Sequence, residues 1–171
     1  IQMALNSTLP KDISISLVKE MPPGFHAQYS CKSKIYQYNI LNRIYPSALL
    51  RGKAWHIPFK LNIKMMKAAA VYLLGEHDFS VFSKSDRDVK NKVRTVINVG
   101  LKKTRKGIVE FEIEADGFLK RMVRLIMGTL VEVGKEKIEP HEFKEILNKG
   151  EKNKHVISAP PEGLFLKKVK Y

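Results

Sequence analysis

The spacing of apolar residues divides the chain into a short series of elements. Residues 4–7 read as the end of a helix, closed by Pro10. Ile13, Ile15 and Leu17 alternate with Ser14 and Ser16, which predicts a half-buried strand over Ile13–Val18. Pro22-Pro23-Gly24 then breaks the chain and divides residues 1–23 from 24–171 as the candidate domain boundary. Ser33–Leu41 reads as a second strand, with Tyr36, Tyr38 and Ile40 on one face and Ile35, Gln37 and Asn39 on the other. Two exposed edge segments are expected around Tyr45-Pro46 and His56-Ile57-Pro58. Asn62 caps a helix that runs to Leu74 and stops at Gly75.

The second half holds the clearest patterns. Arg94–Lys103 and Ile108–Ala115 form a hairpin through Lys106-Gly107. In its return strand Val109, Phe111 and Ile113 alternate with Glu110, Glu112 and Glu114, so the carboxylates make a solvated face opposite a basic strand. Ala115–Gly134 is expected to be one helix, N-capped by Asp116. Its apolar surface would carry Leu119, Met122, Val123, Ile126, Met127, Leu130 and Val133. Lys120, Arg121 and Arg124 would fall within one sector of about 100°. Gly128 lies in that sector, where a missing side chain lets something approach the backbone. Cations near the first turn oppose the helix dipole, a local conflict of the kind found at functional sites. Pro140–Lys149 is a further amphipathic helix, and Leu164–Tyr171 a closing strand. Without regular βαβ spacing, the order predicts an α+β fold: a mostly antiparallel sheet with helices packed on one face.

Charge changes the picture. Thirty-one basic residues against seventeen acidic ones leave a net charge of +14. Half of that excess lies in 84–106, where Lys84, Arg87, Lys90, Lys92, Arg94, Lys102, Lys103, Arg105 and Lys106 face only Asp86 and Asp88. Such a surface meets a polyanion, with nucleic acid first and an anionic membrane surface second. Apolar runs such as Ala68–Leu74 are too short to span a bilayer. Cys31 is the only cysteine, which excludes an intramolecular disulfide and fits a reducing, cytoplasmic setting. The opening Ile1-Gln2-Met3-Ala4-Leu5 is what a chain cut inside a helix would show.

Familiar catalytic patterns are missing. The five histidines have no metal-ligand spacing, with one another or with Cys31. No GxxxxGK[ST] or GxGxxG loop occurs. His77-Asp78-Phe79-Ser80 lacks the elbow and the spacing of a triad. Bases with aromatics among them suit a nucleic acid held through its backbone, its bases stacked. Tyr36, flanked by Lys32 and Lys34, is the aromatic to single out for stacking or for core packing.

Several segments together resemble the tRNA pseudouridine synthase A family. Gly117-Phe118-Leu119-Lys120-Arg121-Met122-Val123-Arg124, continuing to Ile126-Met127-Gly128-Thr129-Leu130, is similar to its GFL..MVR.I.GTL signature. Phe25-His26-Ala27-Gln28 and Lys34-Ile35-Tyr36-Gln37-Tyr38 resemble its FHAR…YxY segment. Gly75–Phe82 looks like its GxHDF.SF loop, Arg94-Thr95 like the RT pair, and Ala159–Leu166 like APxxGLYL. The matches keep the family's order over nearly all of the chain. The resemblance implies a cofactor-free isomerase, with no metal, acting on a uridine of the tRNA anticodon stem-loop at positions 38, 39 or 40. It implies a cytoplasmic homodimer when full length, and no membrane partner. Tyr36 would stack on the flipped uracil, Leu164 would line the base pocket, and Arg124 would pair with the catalytic aspartate. Lys120, Arg121, Lys84, Arg87, Lys90, Lys92, Arg94 and Lys34 would hold RNA.

The family's RTDxGVHA motif is absent: none of Asp12, Asp78, Asp86, Asp88 and Asp116 has that context. The expectation is therefore the tail of an N-terminal domain in 1–23 followed by a C-terminal synthase domain in 24–171, inactive alone. Gln28 stands where arginine is usual, Lys120 where an aromatic is common, and Lys152-Asn153 replace an acidic residue followed by arginine. The alternative is a standalone RNA-binding module without catalysis, distinguished by the encoding sequence upstream of Ile1.

Overall fold

A computed structural model describes residues 1–84, 90–150 and 153–171. It divides into two compact units, Ile1–Ser30 and Cys31–Tyr171.

In the first unit, α1 (Gln2–Thr8) is followed by a segment without regular secondary structure. Ile13–Val18 does not become the half-buried strand that its alternation predicts: Ile13 and Leu17 are exposed. Its backbone bonds to side chains instead. Asn6 accepts from the Ile15 amide at 2.7 Å and donates back to the Ile15 carbonyl at 2.9 Å, and Gln2 donates to the same carbonyl. One carboxamide thus satisfies both polar groups of one residue, as a neighbouring strand would.

The second unit is an α+β fold. Its strands are β1 (Ser33–Asn42), β2 (Trp55–Ile57), β3 (Gly75–Asp78), β4 (Val93–Lys103), β5 (Ile108–Ala115) and β6 (Leu164–Lys170). They form one sheet in the order β2–β1–β5–β4–β3, antiparallel except for the β1–β2 pair. The edge of β1 opposite β5 is shared: β6 pairs with Ser33–Tyr38 and β2 with Ile40–Asn42. His56-Ile57 is therefore part of the sheet, with Ile57 fully buried rather than on an exposed edge.

Helices α2 (Ile63–Val71), α3 (Met122–Gly134) and α4 (Pro140–Lys149) share the core with one face of the sheet. Asn62 caps α2 through the Met65 amide, as its position before an apolar run predicts. Val109, Phe111 and Ile113 of β5 are buried in the same core cluster as Ile126, Met127 and Leu130 of α3. On the opposite face Glu110 pairs with Lys102 of β4, whereas Glu112 and Glu114 reach Lys167 and Lys170 of β6. The carboxylate row is thus an ion-pair lattice across three strands, and Glu114 within it is buried.

The largest correction concerns the expected helix from Ala115. Asp116 is not its N-cap. Its amide donates to the Thr95 carbonyl at 3.1 Å and its carboxylate accepts from the Thr95 amide at 3.0 Å, which ties it to β4. Residues 116–121 are a connector, and α3 begins only at Met122. Lys120 and Arg121 therefore precede the helix, and only Arg124 and Gly128 remain of the basic sector on it.

Candidate active site

The connector reverses the chain from β5 into α3 at Arg121, whose φ of 64° lies in the left-handed region. Two backbone bonds fix it: Met122 donates to Leu119, and Lys84 donates to Lys120. Phe118 is thereby set edge-on against Tyr36, with ring centroids 4.9 Å apart and planes at 78°. Tyr36, Phe118, Lys120, Arg121 and Val123, with Leu164 from the first position of β6, line a cavity of about 250 Å³. An aromatic residue, apolar residues and two cationic ones meet there, and among the described residues no acidic one lines it.

Arg124 follows in the first turn of α3, where its charge opposes the helix dipole. It is half-buried and off the wall of this cavity. Its Nε donates to the Ala159 carbonyl at 2.7 Å, and its own carbonyl accepts from the Ala159 amide at 2.9 Å. The next carbonyl, of Pro160, accepts from the Tyr38 hydroxyl at 2.7 Å. Burial first, then nearby Glu162, pushes the Tyr38 phenol well above its usual range, with Arg124 opposing; the hydroxyl stays a donor. Arg124 and Tyr38 thus seat the segment that leads into Leu164.

Two glycines make that seating possible. A Cβ on Gly128 would lie 1.9 Å from the Ile157 carbonyl oxygen, so residues 157–159 rest directly on the α3 backbone. One on Gly163 would strike the Tyr38 ring at 2.6 Å. The close approach expected at Gly128 is made by the protein's own chain.

Tyr36, Leu164, Lys120 and Arg121 therefore converge on one cavity. Lys84 lines a second cavity, which shares Arg121 with the first. Lys34 shares the Tyr36 face of β1, nearer the strand's start, and is half-buried. Lys90 is exposed and Lys92 half-buried, and neither is on the wall of either cavity. Arg94 donates to the carbonyls of Asn91 and Val93, with its side chain against Gly117. Arg87 lies outside the described residues. Asp78 accepts from the amide and hydroxyl of Ser80, and His77 is held by the Leu74 carbonyl, so these residues close a turn.

Reading the sequence missed Phe118 as a partner of Tyr36, and the carbonyls of Ala159 and Pro160. Phe118 is legible only once the helix starts at Met122, because inside a longer helix it is one apolar residue among many. The carbonyls belong to no side-chain motif and leave no signal.

Residues 69–171 match the family described as tRNA pseudouridine synthase. The tRNA pseudouridine synthase A of Thermoanaerobacter sp. (strain X514) is 46% identical over 168 residues, covering 98% of this chain and 68% of that protein. That of Acetivibrio thermocellus gives the same identity and coverage. The protein of that name from Pseudothermotoga lettingae is 40% identical over 163 residues, 95% of this chain and 66% of its own length. With the family match over residues 69–171 and this identity over nearly the whole chain, the chain belongs to the tRNA pseudouridine synthases, a family of isomerases.

Proposed function

We propose that this chain forms the uridine-binding side of a synthase acting on the tRNA anticodon stem-loop, at positions 38, 39 or 40. The reaction breaks the N1–C1′ bond of uridine, turns the uracil and joins C5 to C1′; the C5 proton leaves and N1 gains one. The target must first leave the base stack. The observation that carries the reading is the convergence of Tyr36, Leu164, Lys120 and Arg121 on one cavity of about 250 Å³. Tyr36, braced edge-on by Phe118, offers its face to a flipped uracil, and Leu164 closes the pocket. Lys120 and Arg121 meet the flanking phosphates, and Lys34, Lys84, Lys90, Lys92 and Arg94 extend the basic surface along the RNA; Arg87, outside the described residues, belongs to the same set by sequence.

Arg124 has a double role in this reading. Its Nε is committed to Ala159, which leaves the terminal NH₂ groups to meet a carboxylate. A guanidinium so placed lowers an aspartate's pKa by about 1–3 units and keeps it ionised. None of the five aspartates stands in the RTDxGVHA context, so we place that carboxylate outside these 171 residues. Residues 1–23 would then be the tail of an N-terminal domain that supplies it, in a cytoplasmic homodimer.

Tritium release from C5-labelled uridine in tRNA tests the reading. These 171 residues alone should release none, and clear turnover would show that the carboxylate is already present. In an enzyme carrying the RTDxGVHA segment, Arg124→Ala should abolish release while most tRNA binding survives. Near-normal rates in that variant would exclude Arg124 as the carboxylate's partner.

A further inference from the structure

Beside the Tyr36 cavity lies a second one of about 330 Å³. Arg121 belongs to both; it lines the first with Tyr36 and the second with Lys84 and Leu125. Val81, Leu125 and Val156 give the second cavity aliphatic walls. Asn153 and Ser158 add polar groups, and among the described residues no acidic one lines it. The Asn153 Oδ1 accepts from the His155 amide at 2.9 Å, which orients the carboxamide and leaves its NH₂ to donate to a ligand. The Val156–Ser158 wall is fixed rather than loose, because Gly128 and Arg124 hold residues 157–159 against α3.

We propose that this slot is a second nucleotide subsite, which takes the base adjacent to the flipped uridine. The inference rests on the RNA reading above and deepens it. Aliphatic walls suit the faces of a flat ring, and the carboxamide suits its hydrogen-bonding edge. Lys84 and Arg121, on the cavity wall, suit the phosphates on either side of that base. The volume lies at the lower end of small-molecule pockets, about 300–1,000 Å³, so it admits one base with part of its sugar. Leu125 follows Met122 by one turn of α3, about 5 Å, so a chain entering the first cavity passes over Arg121 into the second. Arg121 then meets the phosphate shared by the two nucleotides, which accounts for its place in both walls.

The test uses this chain and a fluorescein-labelled anticodon stem-loop RNA with a single uridine in the modified stretch, read by anisotropy at constant salt. Four RNAs are compared: intact, abasic at the uridine, and abasic at its 5′ or its 3′ neighbour. One neighbour should matter, with affinity falling about 5- to 100-fold when its base is removed. Leu125→Trp, which fills the slot, should weaken the intact RNA by a similar factor and add nothing on the RNA lacking that neighbour. Asn153→Ala, at an exposed position, should give a smaller loss that disappears on the same RNA. Sensitivity to the uridine's base but to neither neighbour overturns the second subsite alone. So do additive losses from Leu125→Trp and the abasic neighbour. Failure to bind the stem-loop, or indifference to the uridine's base, overturns the RNA reading as well.

Discussion

Arg121 holds a backbone conformation that crowds an L side chain against its own carbonyl, at a cost of about 1–2 kcal/mol. The connector needs it: the chain must leave the sheet at Asp116 and turn into α3 within six residues. Glycine would make that turn without strain, yet an arginine stands there and lines both cavities. Strain kept at a site points to a role for the side chain. Arg121→Gly should therefore raise folding stability, by about 0.5–1 kcal/mol after glycine's greater chain entropy is counted, and weaken stem-loop RNA binding at least several-fold. Denaturant melts and anisotropy measure the two effects. A variant less stable than the parent would show that the turn is not strained. Arg124 is the contrasting case, because its geometry is relaxed and its Nε already has a structural partner in Ala159.

At the scale of elements, the sheet divides its labour by face. One face is the apolar floor under α2 and α3, and the other carries the β5 carboxylates with their lysines. Glu114 is the most buried of the three; its carboxylate accepts from Lys170 at 2.7 Å and from the Ser33 hydroxyl at 2.6 Å. Those bonds, Lys170 first, hold its pKa below the usual carboxylate range. The sign follows: the stabilisation is fully present above the unfolded value, about 4.3, and is lost as pH falls through the lower folded value. Glu114→Gln should therefore be less stable than the parent at pH 6, and the two should converge towards pH 3. Thermal melts across that range check it, and a constant gap down to pH 3 would remove Glu114 from the titration. The same lattice joins β5 to β6 across β1, and so holds the strand that begins with Leu164.

For the whole molecule the governing quantity is charge. A net +14 on 171 residues gives a long-range pull on any polyanion, and it acts before any fitted contact. If Lys34, Lys84, Lys120 and Arg121 each meet a phosphate, four contacts imply a log–log salt slope of about −3 to −4. Stem-loop affinity should then fall about 100-fold between 50 and 200 mM salt. A slope near zero in anisotropy titrations would show that these cations do not meet the backbone.

Much of this was legible in the chain alone. The β4–β5 hairpin follows from strict alternation, which leaves one register that buries Val109, Phe111 and Ile113. The Asn62 cap, the α+β class and the polyanion partner class come from local rules or summed charge, which need no tertiary partner. The ordered segments around Tyr36, Arg124 and Leu164 likewise gave the family. Tertiary structure decided where α3 starts, because Asp116 had a backbone partner in Thr95, 21 residues away, that outcompeted capping. It decided that Ile13–Val18 is not a strand, since Asn6 takes the hydrogen bonds of Ile15 that a strand partner would make. It also decided the site. Whether Tyr36, Phe118, Arg121 and Leu164 share a cavity depends on β1 lying beside β6 and on residues 157–159 resting on Gly128. Periodicity records which way a side chain faces within its own element; only packing brings faces from distant elements together.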